Sequence, residues 1–223
     1  MSVQVKGYSN VIGEVDTNTR AQRVVNYPYN IGSNGAYGFS ASTGLITTIA
    51  AGTASAGHIF AARWSHATKV AVITALRVKW ATITGFTAAQ EVGLQAFITR
   101  SYTAAHSGGT AITLTGNSLK KSSAHGTTTL ADARISTTTA LTNGTHTIDT
   151  HPIAEGSFAD LAAAATVPKG RFSIELPQLA TNSYPVILTQ DTGIIIRNSI
   201  LMGAAGTARV TVQMEWIELD SWL

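Results

Sequence analysis

The chain has 223 residues; 44% are hydrophobic and 12% charged, with 15 cations against 12 anions and a net charge of +3. Soluble domains carry about 25% charged residues, and here Ala, Thr, Ser and Gly stand in their place. This balance excludes a disordered chain, which combines low hydrophobicity with high net charge, and the lack of a short repeat excludes collagen and coiled coil.

Two regions are expected: an extended N-terminal arm over residues 1–43 and a jelly-roll or β-sandwich domain over residues 44–223. From Val15 to Gly44 the apolar residues follow neither a period of 2 nor one of 3.6, and Asn, Gly, Ser and Tyr dominate. Solvated tails are poor in aromatics, whereas Tyr is a common anchor of interfaces. Tyr27, Tyr29, Tyr37 and Phe39 therefore predict an arm that becomes ordered on a neighbouring subunit, with Pro28 holding the backbone extended. Arg20 and Arg23 join them as candidate subunit contacts.

Strand alternation takes over from Leu45. Between Lys69 and Thr84 the even positions Val70, Val72, Thr74, Leu76, Val78 and Trp80 oppose Ala71, Ile73, Ala75, Arg77, Lys79 and Ala81. One face is large and apolar and the other small or cationic, the mark of a half-buried strand. Its length predicts a bend or bulge partway. A second strand is expected over Glu91–Tyr102, and the short connection Gly85–Gln90 predicts that the two pair as an antiparallel hairpin.

Further strands are expected at Gly57–Trp64, Thr110–Thr115, Thr128–Ser136, Gly144–Asp149, Gly170–Leu176, Pro185–Thr189, Gly193–Leu201 and Ala208–Leu219. Turn signals separate them, among them Ser107-Gly108-Gly109, Asn143-Gly144 and Asp191-Thr192-Gly193. Many short strands at this spacing indicate an all-β sandwich or jelly roll. One helix is expected, Phe158–Thr166, with Ser157 as its cap. Threonine suits strands, but edges with so few charges invite pairing, which predicts that other subunits cover these surfaces.

Sites for chemistry are sparse. The absence of Cys removes disulfides, thiolate zinc ligands and thiol nucleophiles. The nucleophile elbow, the P-loop, a dinucleotide fingerprint and H-E-x-x-H are missing. In His146-Thr147-Ile148-Asp149-Thr150-His151, strand geometry sends His146 to the face opposite Asp149 and His151, so these read as loop histidines before Pro152 and no metal set is assigned. No pair among the acids stands out as general acid and base. No cofactor and no enzymatic activity are expected. Lys and Arg are scattered, Lys120-Lys121 being the densest pair, so the footprint of a nucleic-acid binder is missing. The first residues lack the pattern of a signal peptide, and no run of about 18 apolar residues predicts a membrane span. Arg77 and Lys79, beside Trp64 and Trp80, read as cationic stems lying over β surface. Trp222 and Leu223, large and apolar at the end of the chain, are expected to dock on the core or on a partner subunit.

Several stretches resemble virion proteins of tailed bacteriophages: Phe60-Ala61-Ala62-Arg63-Trp64, Phe86-Thr87-Ala88-Ala89-Gln90-Glu91-Val92-Gly93, and Gly108-Gly109-Thr110-Ala111 with Leu114-Thr115-Gly116-Asn117. Ile196-Arg197-Asn198 and Met202-Gly203-Ala204-Ala205-Gly206 complete the likeness, which covers about residues 57–219 and carries no catalytic group. The resemblance implies a β-rich structural part of a phage particle, associated with the capsid or the tail. The expected role is a capsid decoration or cement protein on the capsid exterior. It would clamp neighbouring subunits, with the major capsid protein and further copies of itself, as a dimer or trimer, for partners. A tail or head fibre component that binds a host receptor and a carbohydrate-binding jelly roll are the alternatives.

Overall fold

A computed structural model describes residues 5–6, 12–13, 35–47, 57–137, 139–160, 170–176, 185–202 and 206–220. The strands in chain order are β1 (Val5–Lys6), β2 (Ile12–Gly13), β3 (Ala36–Ser42), β4 (Ile46–Thr47), β5 (His58–Trp64) and β6 (Val70–Thr84). Then come β7 (Gln90–Ala104), β8 (Ser107–Gly108), β9 (Thr110–Ala111), β10 (Asp132–Ile135), β11 (Leu141–Thr142) and β12 (Thr145–Ile148). β13 (Ala154–Asp160), β14 (Arg171–Glu175), β15 (Val186–Leu188), β16 (Thr192–Asn198) and β17 (Thr207–Leu219) complete the set. The fold is all-β, as the alternation predicts, and among the described residues no helix is long and apolar enough to cross a membrane.

The chain divides into two compact units, Met1–Ser33 and Asn34–Leu223. In the first, β1 and β2 pair antiparallel, with Val5 opposite Gly13 and Lys6 opposite Ile12. The other residues of this unit, and with them most of the expected arm, lie outside the described residues. The second unit begins ten residues before the expected boundary at residue 44, because β3 belongs to its sheet.

That second unit is a sandwich of two large antiparallel sheets, together with a small two-stranded sheet of β8 and β11. The first sheet has the order β14-β6-β17-β3, with β15 also on β6 and β4 also on β17. The second has the order β12-β7-β16-β5-β10-β9, with β13 also on β7. The principal pairings are nested: β3 with β17, β5 with β16, β6 with β14 and β7 with β13. In these four pairs early strands lie beside late ones, while β10 pairs with β5 and β9.

The two inner faces share one core. Trp64, Trp80 and Trp216 are almost fully buried in it, alongside Phe60, Val78, Leu94, Ile194, Ile196 and Val212. Each indole N–H finds an acceptor, Lys69 O at 2.9 Å, Thr82 Oγ1 at 3.0 Å and Glu218 Oε1 at 3.3 Å, which buried tryptophans require. Along β17 the alternation is regular: Val210, Val212, Met214 and Trp216 face the core, as expected. β6 is not regular. Its register with β17 steps from Ile73 opposite Trp216 to Ala75 opposite Glu215, leaving Thr74 as the extra residue. This bulge changes the face. Ala71 and Ile73 lie in the main core before it and Leu76, Val78 and Trp80 after it. Val72 instead joins Ala36, Ile217 and Leu219 in a second cluster, with Val70 packed against it.

Two expectations are corrected here. β6 and β7 do not form a hairpin; they lie in different sheets. The connection between them carries Phe86, fully buried in the main core, so the short loop is pinned across the layers. The expected helix at Phe158–Thr166 fails at its start, because Phe158, Ala159 and Asp160 continue β13 opposite Val92, Glu91 and Gln90. Its remainder lies outside the described residues.

Candidate functional site

Polar and ionisable side chains gather at one place inside the fold. His58, His106 and His146 bring their ring nitrogens within 4.8 Å of one another. They come from three distant elements: the first residue of β5, the turn between β7 and β8, and β12. His58 and His106 are 4% and 2% exposed. The rings of His106 and His146 stack at 5.1 Å, and that of His58 lies 5.1 Å from His106 and 5.6 Å from His146. Tyr102 closes the group from β7, its hydroxyl hydrogen-bonded to His106 Nδ1 and its ring 5.1 Å from that of His146.

Irregular backbone builds this site. The register of β5 on β16 steps from Phe60 opposite Ile196 to His58 opposite Arg197. Ile59 is the bulged residue, and it packs in the main core. His58 is thereby turned to the outer face of the second sheet, on which Ala61 and Ile195 form their own cluster with Leu141. In β7, Ser101 adopts a φ of 50°, a left-handed conformation rare for a side-chain-bearing residue. That kink re-aims Tyr102 and ends the regular alternation of Val92, Leu94 and Ala96. Two glycines permit the close approaches. A Cβ on Gly144 would collide with the carbonyl of Ala104, and one on Gly193 with the carbonyl of Ala62 and the ring of Tyr102.

Burial sets the protonation. Removal from water is the main cause that lowers the His58 pKa to about 4 and the His106 pKa to about 3; the neighbouring histidines add to it, with Arg197 acting on His58 and Arg134 on His106. His146 is lowered too, by burial, with the nearby Gly144 backbone pulling the other way. Its Nδ1 is buried without a hydrogen-bond partner of normal geometry. Tyr102 is raised by burial first and by Asp132 second, so its phenol stays protonated. The rings are therefore neutral at pH 7. A consistent proton arrangement has the Tyr102 O–H donating to His106 Nδ1 and the His106 Nε2–H donating to His58 Nδ1, 2.8 Å away. Neutral imidazoles with free lone pairs can bind a metal or relay a proton.

The expected subunit contacts fall elsewhere. Tyr37 is 1% exposed in β3, its ring stacked on Trp216 at 5.6 Å and its hydroxyl donating to the Gly126 carbonyl at 3.1 Å. Phe39 packs between Phe60 and Trp216, at 5.9 and 5.8 Å. Both aromatics belong to the chain's own core, so the reading of them as arm residues awaiting a neighbour is corrected. Arg20, Arg23, Tyr27, Tyr29, Trp222 and Leu223 lie outside the described residues. The pair Asp149 and His151 does not join His146: Asp149 accepts two hydrogen bonds from Arg100, at 3.1 and 3.2 Å.

On the first sheet the outer face is open and ordered in rows. Arg171, Ala81 and Arg209 stand side by side on β14, β6 and β17, as do Ser173, Lys79 and Thr211, then Glu175, Arg77 and Gln213. Arg77 pairs with Glu175 at 2.6 Å. Lys79, Arg171 and Arg209 have no carboxylate partner among the described residues. The Trp80 side chain lies on the opposite side of the strand, in the core, and Trp64 is buried as well.

No family model, curated protein or solved structure matches this chain.

Proposed function

We propose that this chain is a non-enzymatic structural protein of a tailed-bacteriophage particle, a decoration or cement protein on the capsid exterior. Its partners in this reading are the major capsid protein and further copies of itself. The observation that carries the reading is the nested pairing of β3 with β17, β5 with β16, β6 with β14 and β7 with β13. We read the nested pairs as a long antiparallel ribbon rolled into a jelly-roll winding, and jelly rolls recur in viral capsid and lectin domains.

Fold does not choose between those two roles. The likeness of the motifs over residues 57–219 and a surface poor in charge and rich in Thr favour the shell. A separate N-terminal unit, Met1–Ser33, adds a second place of contact on one chain. Two weak contacts joined covalently gain affinity through effective concentration, which is how such a protein would clamp a lattice of identical subunits. The rows of Lys79, Arg171 and Arg209 supply an electropositive face for an acidic neighbour.

Antibody against the full chain, applied to purified virions and viewed by immunogold microscopy, tests the proposal. Regular labelling of heads is the expected result. Labelling of the tail tip alone moves the protein to a fibre, and unlabelled particles together with glycan binding by the free chain move it to the lectins; either outcome overturns the cement reading.

A further inference from the structure

We propose that His58, His106 and His146 form a binding site for one divalent transition-metal ion of the zinc class, pinning β5, β12 and the β7–β8 turn together on the outer face of the second sheet. The ligands are His58 Nδ1, His106 Nε2 and one ring nitrogen of His146.

Geometry carries the assignment. Tetrahedral coordination with metal–nitrogen bonds of about 2.0–2.1 Å places ligand nitrogens about 3.4 Å apart. Here one pair stands at 2.8 Å and the whole set lies within 4.8 Å. Shifts of well under an ångström for one ring and somewhat more for another bring them to that spacing. Two buried imidazoles and a half-buried third are a costly way to fill space, because each brings two polar nitrogens. The Nδ1 of His146, buried with no hydrogen bond of normal geometry and only the Gly144 backbone acting on its ring, leaves part of that cost unmet among the described residues.

The surroundings select the ion. No carboxylate joins the three rings among the described residues, so nitrogen donors alone are on offer. Hard cations such as Mg²⁺ and Ca²⁺ need oxygen ligands and are disfavoured; imidazole suits Zn, Cu, Ni and Co. Tyr102 supplies the outer support. With the metal on Nε2, His106 turns its Nδ1–H toward the Tyr102 oxygen, the orienting hydrogen bond that metal-bound histidines ordinarily make. Three ligands leave a fourth position for water or for a group from outside the described residues.

The test uses the full chain, refolded once with a chelator and once with Co²⁺ or Zn²⁺, so that a closed site can fill. The expected result is one Co²⁺ per chain with the visible absorption of a tetrahedral site, displaced by Zn²⁺, and a melting temperature several degrees higher with Zn²⁺ than with chelator. His146→Ala, at the least buried of the three, should lose both responses: no tetrahedral Co²⁺ absorption, and the same melting temperature with Zn²⁺ as with chelator. Should that variant not fold, the ring ¹⁵N resonances of the native chain locate the ion: Zn²⁺ must shift His58, His106 and His146. Absence of the Co²⁺ absorption, a His146→Ala chain that retains it, or Zn²⁺ shifts confined to His66, His125 and His151 would each overturn the proposal.

Discussion

The outer faces of the two sheets are built from the same kind of strand and end up with opposite chemistry. On the first sheet the alternation of β14, β6 and β17 runs undisturbed from Ala75 to Ala81, so each row across the sheet presents its polar members to water: Arg171, Lys79, Arg209 and the Arg77–Glu175 pair. On the second sheet, bulges at Ile59 and Ser101 interrupt the alternation, and the outer face carries a closed group of neutral rings. Regular pleating yields a solvated surface; broken pleating yields an internal site. The difference teaches that the side chains of interest here were placed by backbone irregularity, at a cost in regular hydrogen bonding that only a closely packed surrounding can sustain.

Acid sharpens this contrast most. His58 and His106 ionise at about 4 and about 3 in the folded chain, against 6.5 when free. Above about pH 7 both states are neutral and stability is flat. As pH falls through 6.5 the unfolded chain takes up protons that the folded chain refuses, so stability is lost on acidification down to about pH 3–4. The loss is on the order of 3 kcal/mol for His58 and 5 kcal/mol for His106. Urea midpoints between about pH 6.5 and pH 5, above the range in which ordinary carboxylates titrate, should already fall; a flat profile there breaks the contrast.

Glycine substitutions come next. Gly193→Ala drives a methyl group against the Ala62 carbonyl and the Tyr102 ring, and should cost about 1–3 kcal/mol by overpacking. Ala81→Ser, at the matching central place on the open face, should stay within about 0.5 kcal/mol. Chemical denaturation of the two variants measures both, and equal costs would mean that the faces are alike. Smallest is Arg77→Ala. The ion pair with Glu175 is short, but its side chains are 38% and 46% exposed, and such pairs are worth less than about 1 kcal/mol. A larger loss would show that the open face is covered in solution.

How legible the molecule was follows the same divide. β17 was readable from Val210, Val212, Met214 and Trp216 alone, and β6 from Lys79 and Trp80 on opposite faces, with a bulge anticipated from its length. The hairpin of β6 with β7 was misread because loop length says nothing of Phe86, whose burial carries the chain into the other sheet. Phe158 to Asp160 read as a helix because Ala-rich sequence has helical propensity, which the strand partner Val92–Gln90 overrides. Tyr37 and Phe39 were visible as anchors but not their target, which is Trp216 of the same chain. The histidine group was hidden for a physical reason. A period of 2 assigns faces only while the register holds, and His58 and Tyr102 each follow a break in it. Their only local marks are the spacing of Tyr102 and His106 across a turn and the turn signal Asn143-Gly144 before His146.

For the proposed role on a capsid, the two faces offer a division of labour: an electropositive surface open to a neighbour, and a buried knot that stiffens the opposite side of the sandwich. The direct measurement of that account is a titration of the six histidines in the full, metal-free chain, followed by ring ¹⁵N NMR. His58 and His106 should still be largely neutral at pH 5 and ionise only near 4 and 3. Titration of those two rings near 6.5, as for histidines in free solution, would contradict a closed site.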